Sequence, residues 1–154
     1  MIRIQQGTID VSAEMAAFSA TDDDIGAIVS FTGLVRRDKG AGDVTAMRLE
    51  HYPGMTEKKL AEIDAEAGRR WPLARSLIVH RVGTMRPGAV IVLVATASPH
   101  RDAAFDAARF LIDWLKSKAP FWKREETATG SRWVAARDGD HAAAAGWERS
   151  DDDG

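Results

Sequence analysis

Two groups of cationic side chains have the types and spacing to do chemistry in this chain of 154 residues. His100-Arg101 follows Ser98-Pro99, and Lys116, Lys118, Lys123 and Arg124 crowd around Ala119-Pro120-Phe121-Trp122. Between them, Ala104, Ala108, Leu111 and Leu115 repeat at helical spacing, with Phe105, Ile112 and Trp114 widening the apolar face. The spacing predicts one buried helix, capped by Ser98, with Pro99 at its first position and Pro120 beyond its end. Cations at a helix C-terminus complement the dipole and need no function. A His-Arg pair in the first turn adds positive charge to positive potential, and an anion there restores the balance. Arg36-Arg37, beside the glycine-bearing run 38–43, either faces solvent or adds forked donors for a phosphate.

The elements that must position these groups follow from the apolar pattern. Residues 90–97 are continuously apolar, as in a central strand, and run directly into the helix. Residues 25–35 (IGAIVSFTGLV) read as a buried strand that delivers Arg36 and Arg37 at its end. Residues 44–52 alternate like a half-exposed strand, and 75–82 form another, with His80 as a structural histidine within it. Residues 2–9 are an edge strand, and a short helix capped by Ser12 follows. Residues 56–70 form an amphipathic helix capped by Thr56, with Leu60, Ile63, Ala67 and Trp71 on one face. Residues 132–134 are a short strand, 140–147 a weak alanine-rich helix, and the acidic tail 151–154 is expected to be disordered after one domain over 1–150.

Composition narrows the chemistry. A hydrophobic fraction of 45% with 29% charged residues is that of a globular chain, and a net charge of −2 provides no basic field for nucleic acid. With no cysteine there is no disulfide, thiolate ligand or protein-borne sulfur nucleophile, so any sulfur must arrive on something else. The four histidines lack metal-binding spacing, Thr21-Asp22-Asp23-Asp24 reads as a solvated turn, and no metal or cofactor is expected. The first residues lack a signal-peptide core and no apolar run is long enough to span a bilayer, so a cytoplasmic location is expected.

The two basic ends of the long helix pose a geometric problem. Sixteen residues separate His100 from Lys116, about 24 Å along a helix. A small anion cannot touch both. Either they act independently, or a two-fold dimer combines Arg36, Lys116 and Lys123 of one chain with His100 and Arg101 of its mate.

The motifs Phe31-Thr32-Gly33-Leu34-Val35-Arg36, Leu49-Glu50-His51-Tyr52-Pro53-Gly54-Met55, His80-Arg81-Val82-Gly83, His100-Arg101 and the run from Leu115 to Glu125 resemble the large, catalytic subunit of molybdopterin synthase. The resemblance covers roughly residues 25–137. It implies an α+β fold (α/β hammerhead) with an additional antiparallel β subdomain. It also implies a homodimer that binds two small ubiquitin-like sulfur-carrier subunits, a heterotetramer overall. The implied reaction is sulfurtransferase chemistry of molybdenum cofactor biosynthesis. A thiocarboxylate at the carrier's C-terminal Gly-Gly donates sulfur to cyclic pyranopterin monophosphate, and two transfers make the dithiolene of molybdopterin. Carried over by motif, Lys116 and Lys123 are the catalytic lysines, one steadying an oxyanion and one moving protons in an order left open. Leu34, Val35, Arg36, His100, Arg101, Lys116, Lys123, Arg124 and Glu125 line the substrate pocket, with Arg137 reaching in from the second subunit. Leu34 departs from the pattern, standing where relatives can carry a basic residue. Phe121-Trp122 either packs the crossover or forms a groove for the carrier's tail.

Three other functions are possible for such a chain, and its residues oppose each. A non-catalytic scaffold is opposed by the presence of both lysines and of His100-Arg101. A nucleotide binder lacks any Walker-type or GxGxxG loop. A single-strand binder needs a broader basic surface than this charge supports.

Overall fold

The computed structural model describes residues 1–20, 23–37, 44–127, 130–134 and 145–147. In chain order the elements are β1 (Ile2–Gln5), α1 (Val11–Phe18), β2 (Ala27–Leu34), β3 (Val44–His51), α2 (Met55–Arg70) and β4 (Arg75–Arg81). They continue with β5 (Gly83–Met85), β6 (Val90–Ser98), α3 (Arg101–Ser117), β7 (Phe121–Thr127) and β8 (Gly130–Val134). Two four-stranded sheets result, ordered β1-β4-β6-β2 and β5-β3-β7-β8. The first is mixed, since β1 runs parallel to β4 while β4 and β2 flank β6 antiparallel. All pairings in the second are antiparallel.

β6 is central because every residue from Ile91 to Ser98 is buried, as its unbroken apolar run requires. The first sheet is covered on both faces. Leu77, Val79, Leu93, Ala95 and Ala97 pack with Ile9 and Phe18 from the α1 side. Ile78, Val92 and Val94 pack with Ala67 of α2, Phe110 and Leu111 of α3, and Met47 and Leu49 of the second sheet. Along α3, Ala104, Ala107, Ala108, Phe110 and Leu111 are buried. The small alanines let the helix lie close to β6, where the buried Thr96 hydroxyl donates to the Ala104 carbonyl at 2.6 Å. Phe105 is 60% exposed, so it does not widen the apolar face as its spacing predicts.

The starts of all three helices differ from expectation. Asp10, not Ser12, caps α1, its carboxylate accepting from Ala13 N at 3.0 Å. For α2 the N-cap is Gly54 at φ 84°, a left-handed conformation suited to glycine, and the Glu57 carboxylate accepts from its amide at 2.6 Å. Thr56 is instead buried in the first turn. For α3 the N-cap is His100, with no side-chain capping bond. Ser98 remains in β6, paired with Ala27, and its hydroxyl donates to Pro72 O at 3.0 Å. Ladder pairing has taken the residue that local propensity assigns to the helix.

Local pattern signals neither β5 nor β7, and β2 is an edge strand with alternating exposure, not a buried one. β1 is at an edge, as its sequence predicts, but ends at Gln5. β7 and β8 make a hairpin that extends to Thr127 and Gly130, the latter at φ 138°. Residues 145–147 form a helical turn against α2 and α3, where Trp147 Nε1 donates to Asp113 Oδ2 at 2.7 Å and the indole meets Trp71 and Phe110 edge-on. Among the described residues, no helix is long and apolar enough to cross a membrane.

Candidate active site

The side chains with chemistry meet where α3 ends and β7 begins. The last turn of α3 carries Lys116, exposed, and the turn closes with Lys118 N donating to Trp114 O at 2.8 Å. Phe121 N then donates to Ala119 O at 2.8 Å, and the chain enters β7. Strand alternation puts Phe121, Lys123 and Glu125 on one face and Trp122, Arg124 and Glu126 on the other. The first face is the inner one, because the residues opposite Lys123 and Glu125 are the buried Leu49 and Met47. On the outer face Trp122 meets Tyr52 edge-on at 4.4 Å, and Arg48 opposite Arg124 is paired with Glu50 at 2.9 Å.

Two histidines complete the inner face. His80 projects from β4 and is 7% exposed. Its ring stacks on Phe121 with centroids 4.1 Å apart and planes 18° from parallel. His51, opposite Phe121 on β3, is tilted against the same ring at 6.2 Å. Desolvation lowers the His80 pKa from 6.5 to about 4, and the charges of Lys116, Lys123 and His51 push the same way. A bond to the Arg81 carbonyl opposes them only in part. His80 is therefore neutral near pH 7. A carbonyl only accepts, so the 3.0 Å contact from Nδ1 to Arg81 O places the ring proton on Nδ1 and leaves Nε2 as an acceptor. The same logic applies to His51. The Thr56 hydroxyl donates to Tyr52 O at 2.8 Å, so His51 Nδ1 donates to Thr56 Oγ1 at 3.1 Å.

Lys116, at the end of α3, and Lys123, on β7, both lie near enough to His80 for their charges to lower its pKa. Glu125 lies on the same strand face as Lys123, and Arg124 on the opposite one. His100 and Arg101 are exposed at the other end of α3, away from the lysine pair within one chain. Leu34 is 57% exposed at the end of β2. Val35 is buried, with its amide donating to Ala89 O at 2.9 Å and its carbonyl accepting from Gly88 N at 2.7 Å. Arg36 is exposed just beyond. Arg137 lies outside the described residues. His80 and His51 were not among the residues read as chemical from the sequence. Their signal was available, since both occur inside the quoted motifs, but an isolated strand histidine reads as structural without its neighbours.

A mixed sheet beside an antiparallel one, with helices packed on them and a buried His80–Phe121 stack between, defines an α+β protein whose chain has no cysteine. The family model described as "MoaE protein" matches residues 4–118, three quarters of the chain, ending before Lys123. A molybdopterin synthase catalytic subunit from Pseudomonas aeruginosa is 54% identical over 147 residues, covering 96% of this chain and 98% of that one. The solved structure of a molybdopterin biosynthesis MoaE protein from Burkholderia ambifaria is similar at TM-score 0.81 and 53% identity, covering 96% of this chain and 97% of the other. The crystal structure of molybdopterin synthase from Staphylococcus aureus matches at TM-score 0.78 and 35% identity, covering 86% of this chain and 95% of that one. The chain belongs to the MoaE family, the molybdopterin synthase catalytic subunits.

Proposed function

We propose that this protein transfers sulfur to cyclic pyranopterin monophosphate from the C-terminal thiocarboxylate of a small ubiquitin-like carrier, making the dithiolene of molybdopterin. The observation that carries the reading is that Lys116 and Lys123 both bear electrostatically on the buried His80, which stacks on Phe121, in a chain with no cysteine. In each transfer the thiocarboxylate sulfur bonds to a side-chain carbon of the pterin as a carbon–oxygen bond at that carbon breaks, the oxygen leaving with the phosphate or as water, and a second water then adds to the acyl carbon. The resulting tetrahedral oxyanion collapses with cleavage of the acyl C–S bond. Sulfur stays on the pterin and the carrier leaves as a carboxylate. One lysine ammonium stabilises that oxyanion and the other relays the proton taken from water.

Glu125 shares the strand face of Lys123 and is placed to orient it or the substrate. Arg36 and the His100–Arg101 pair supply donors for the cyclic phosphate. The length of α3 keeps His100 about 24 Å from Lys116 in one chain, so the pocket is composite across a homodimer. Arg137 is assigned to the same pocket from the second subunit, and each dimer carries two carriers. Leu34 and Val35 form its wall. A cytoplasmic location goes with this reading, because a reducing compartment preserves a thiocarboxylate donor.

Single-turnover conversion of cyclic pyranopterin monophosphate with thiocarboxylated carrier tests the proposal. Lys116→Ala and Lys123→Ala are each expected to slow product formation by about 100-fold or more. Carrier binding with full turnover in both variants would overturn the assignment. Mixing Lys123→Ala with His100→Ala subunits should restore one intact site per heterodimer, and an absence of any recovery would exclude the composite pocket.

A further inference from the structure

We propose that His80 is the positioning residue of the lysine pair, clamping the joint between α3 and β7 through its stack on Phe121 and offering the ammonium groups a neutral acceptor. The inference rests on the assignment of Lys116 and Lys123 made above. Phe121 stands five residues after Lys116 and two before Lys123, on the inner face that Lys123 shares. Any rotation of the chain at Phe121 therefore moves one lysine relative to the other. The aromatic ring touches both histidines, stacked on His80 at 4.1 Å and tilted against His51 at 6.2 Å.

His80 is a rigid reference for that clamp. It lies in β4 between β1 and β6, paired with Ile4 and Val92, in the middle of the first sheet. Its Nδ1–H is committed to Arg81 O, which fixes the ring orientation and the tautomer. The charged or titratable groups that bear on it are Lys116 from α3, Lys123 from β7 and His51 from β3, all basic. A protonated imidazole would add a further cation to that group, and burial prevents it. What remains is a flat ring for Phe121 and an Nε2 lone pair in a cationic setting, where an acceptor restrains an ammonium group.

The test separates the ring from the acceptor. His80→Phe keeps a flat ring for the stack and removes Nε2, and His80→Gln keeps an amide near Nε2 and removes the ring. Both are compared with wild type, Lys116→Ala and Lys123→Ala in single-turnover sulfur transfer, normalised to the protein that binds carrier. Each His80 variant is expected to lose about tenfold or more in rate at saturating carrier, since sub-ångström misplacement of reacting groups is costly. The carrier concentration for half-maximal rate should stay within about twofold, because the carrier surface is untouched. A variant that merely folds less well would lose binding-competent protein and keep the normalised rate, which would overturn the inference. Wild-type normalised rates in both His80 variants, with activity lost in the lysine variants, would defeat this inference alone. Full activity in the lysine variants would defeat it together with the site assignment.

Discussion

Acid should destabilise this protein through His80, and the size of the effect follows from its burial. In the unfolded chain the imidazole titrates near 6.5, and in the folded protein desolvation and the surrounding positive charges lower its pKa to about 4. Between those values the unfolded state binds a proton that the native state refuses, so stability falls as pH falls through that window. At about 1.4 kcal/mol per pH unit, the complete loss is on the order of 3 kcal/mol. Most of it comes early, and from pH 7 to pH 5 the single site accounts for about 2 kcal/mol. Urea unfolding at the two pH values measures this directly, with His80→Phe as the reference that cannot titrate. Wild type should lose about 2 kcal/mol more than the variant over that interval. Glu66, whose carboxyl is held below its usual range by hydrogen bonds from Arg70 and Arg69, responds only at more acid pH and leaves the window clear. Equal pH dependence in the two proteins would refute the argument that His80 is held neutral by burial.

Three further outcomes follow from the packing. Trp147→Ala removes the indole that meets Trp71 and Phe110 and donates to Asp113, and should cost about 2–3 kcal/mol in urea unfolding. Gly26→Ala would place a Cβ inside the van der Waals shell of the Pro99 carbonyl, displacing the start of α3 and lowering stability by about 1–3 kcal/mol. Leu111→Ala should cost about 3 kcal/mol, and Phe105→Ser less than about 0.5 kcal/mol, because Leu111 is fully buried while Phe105 lies outside the packed face of α3.

Much of this architecture was legible from local pattern. The unbroken apolar run of β6 leading into α3, and the amphipathic face of α2 with Leu60 and Ala67 buried, follow from periodicity that each segment carries by itself. The cysteine-free composition required imported sulfur, and the motif from Leu115 to Glu125 was enough to point to the family. Other features depended on partners that no local window contains. Phe121–Thr127 is rich in charged residues and reads as a loop, yet pairing with β3 and β8 makes it a strand. Ser98 has the propensity of a helix cap but is taken by the ladder with Ala27. Phe105 has the spacing of a core residue but projects from the exposed side of α3.

The site shows the same division. Residue types and motifs named the two lysines from the sequence alone, because chemistry selects side chains. Their shared influence on one buried histidine was decided by the tertiary structure, which runs the end of α3 into β7 near a strand thirty-six residues before Lys116 in the chain. That histidine's neutrality, tautomer and aromatic stack are consequences of burial between two sheets, a non-local property that spacing along the chain does not encode.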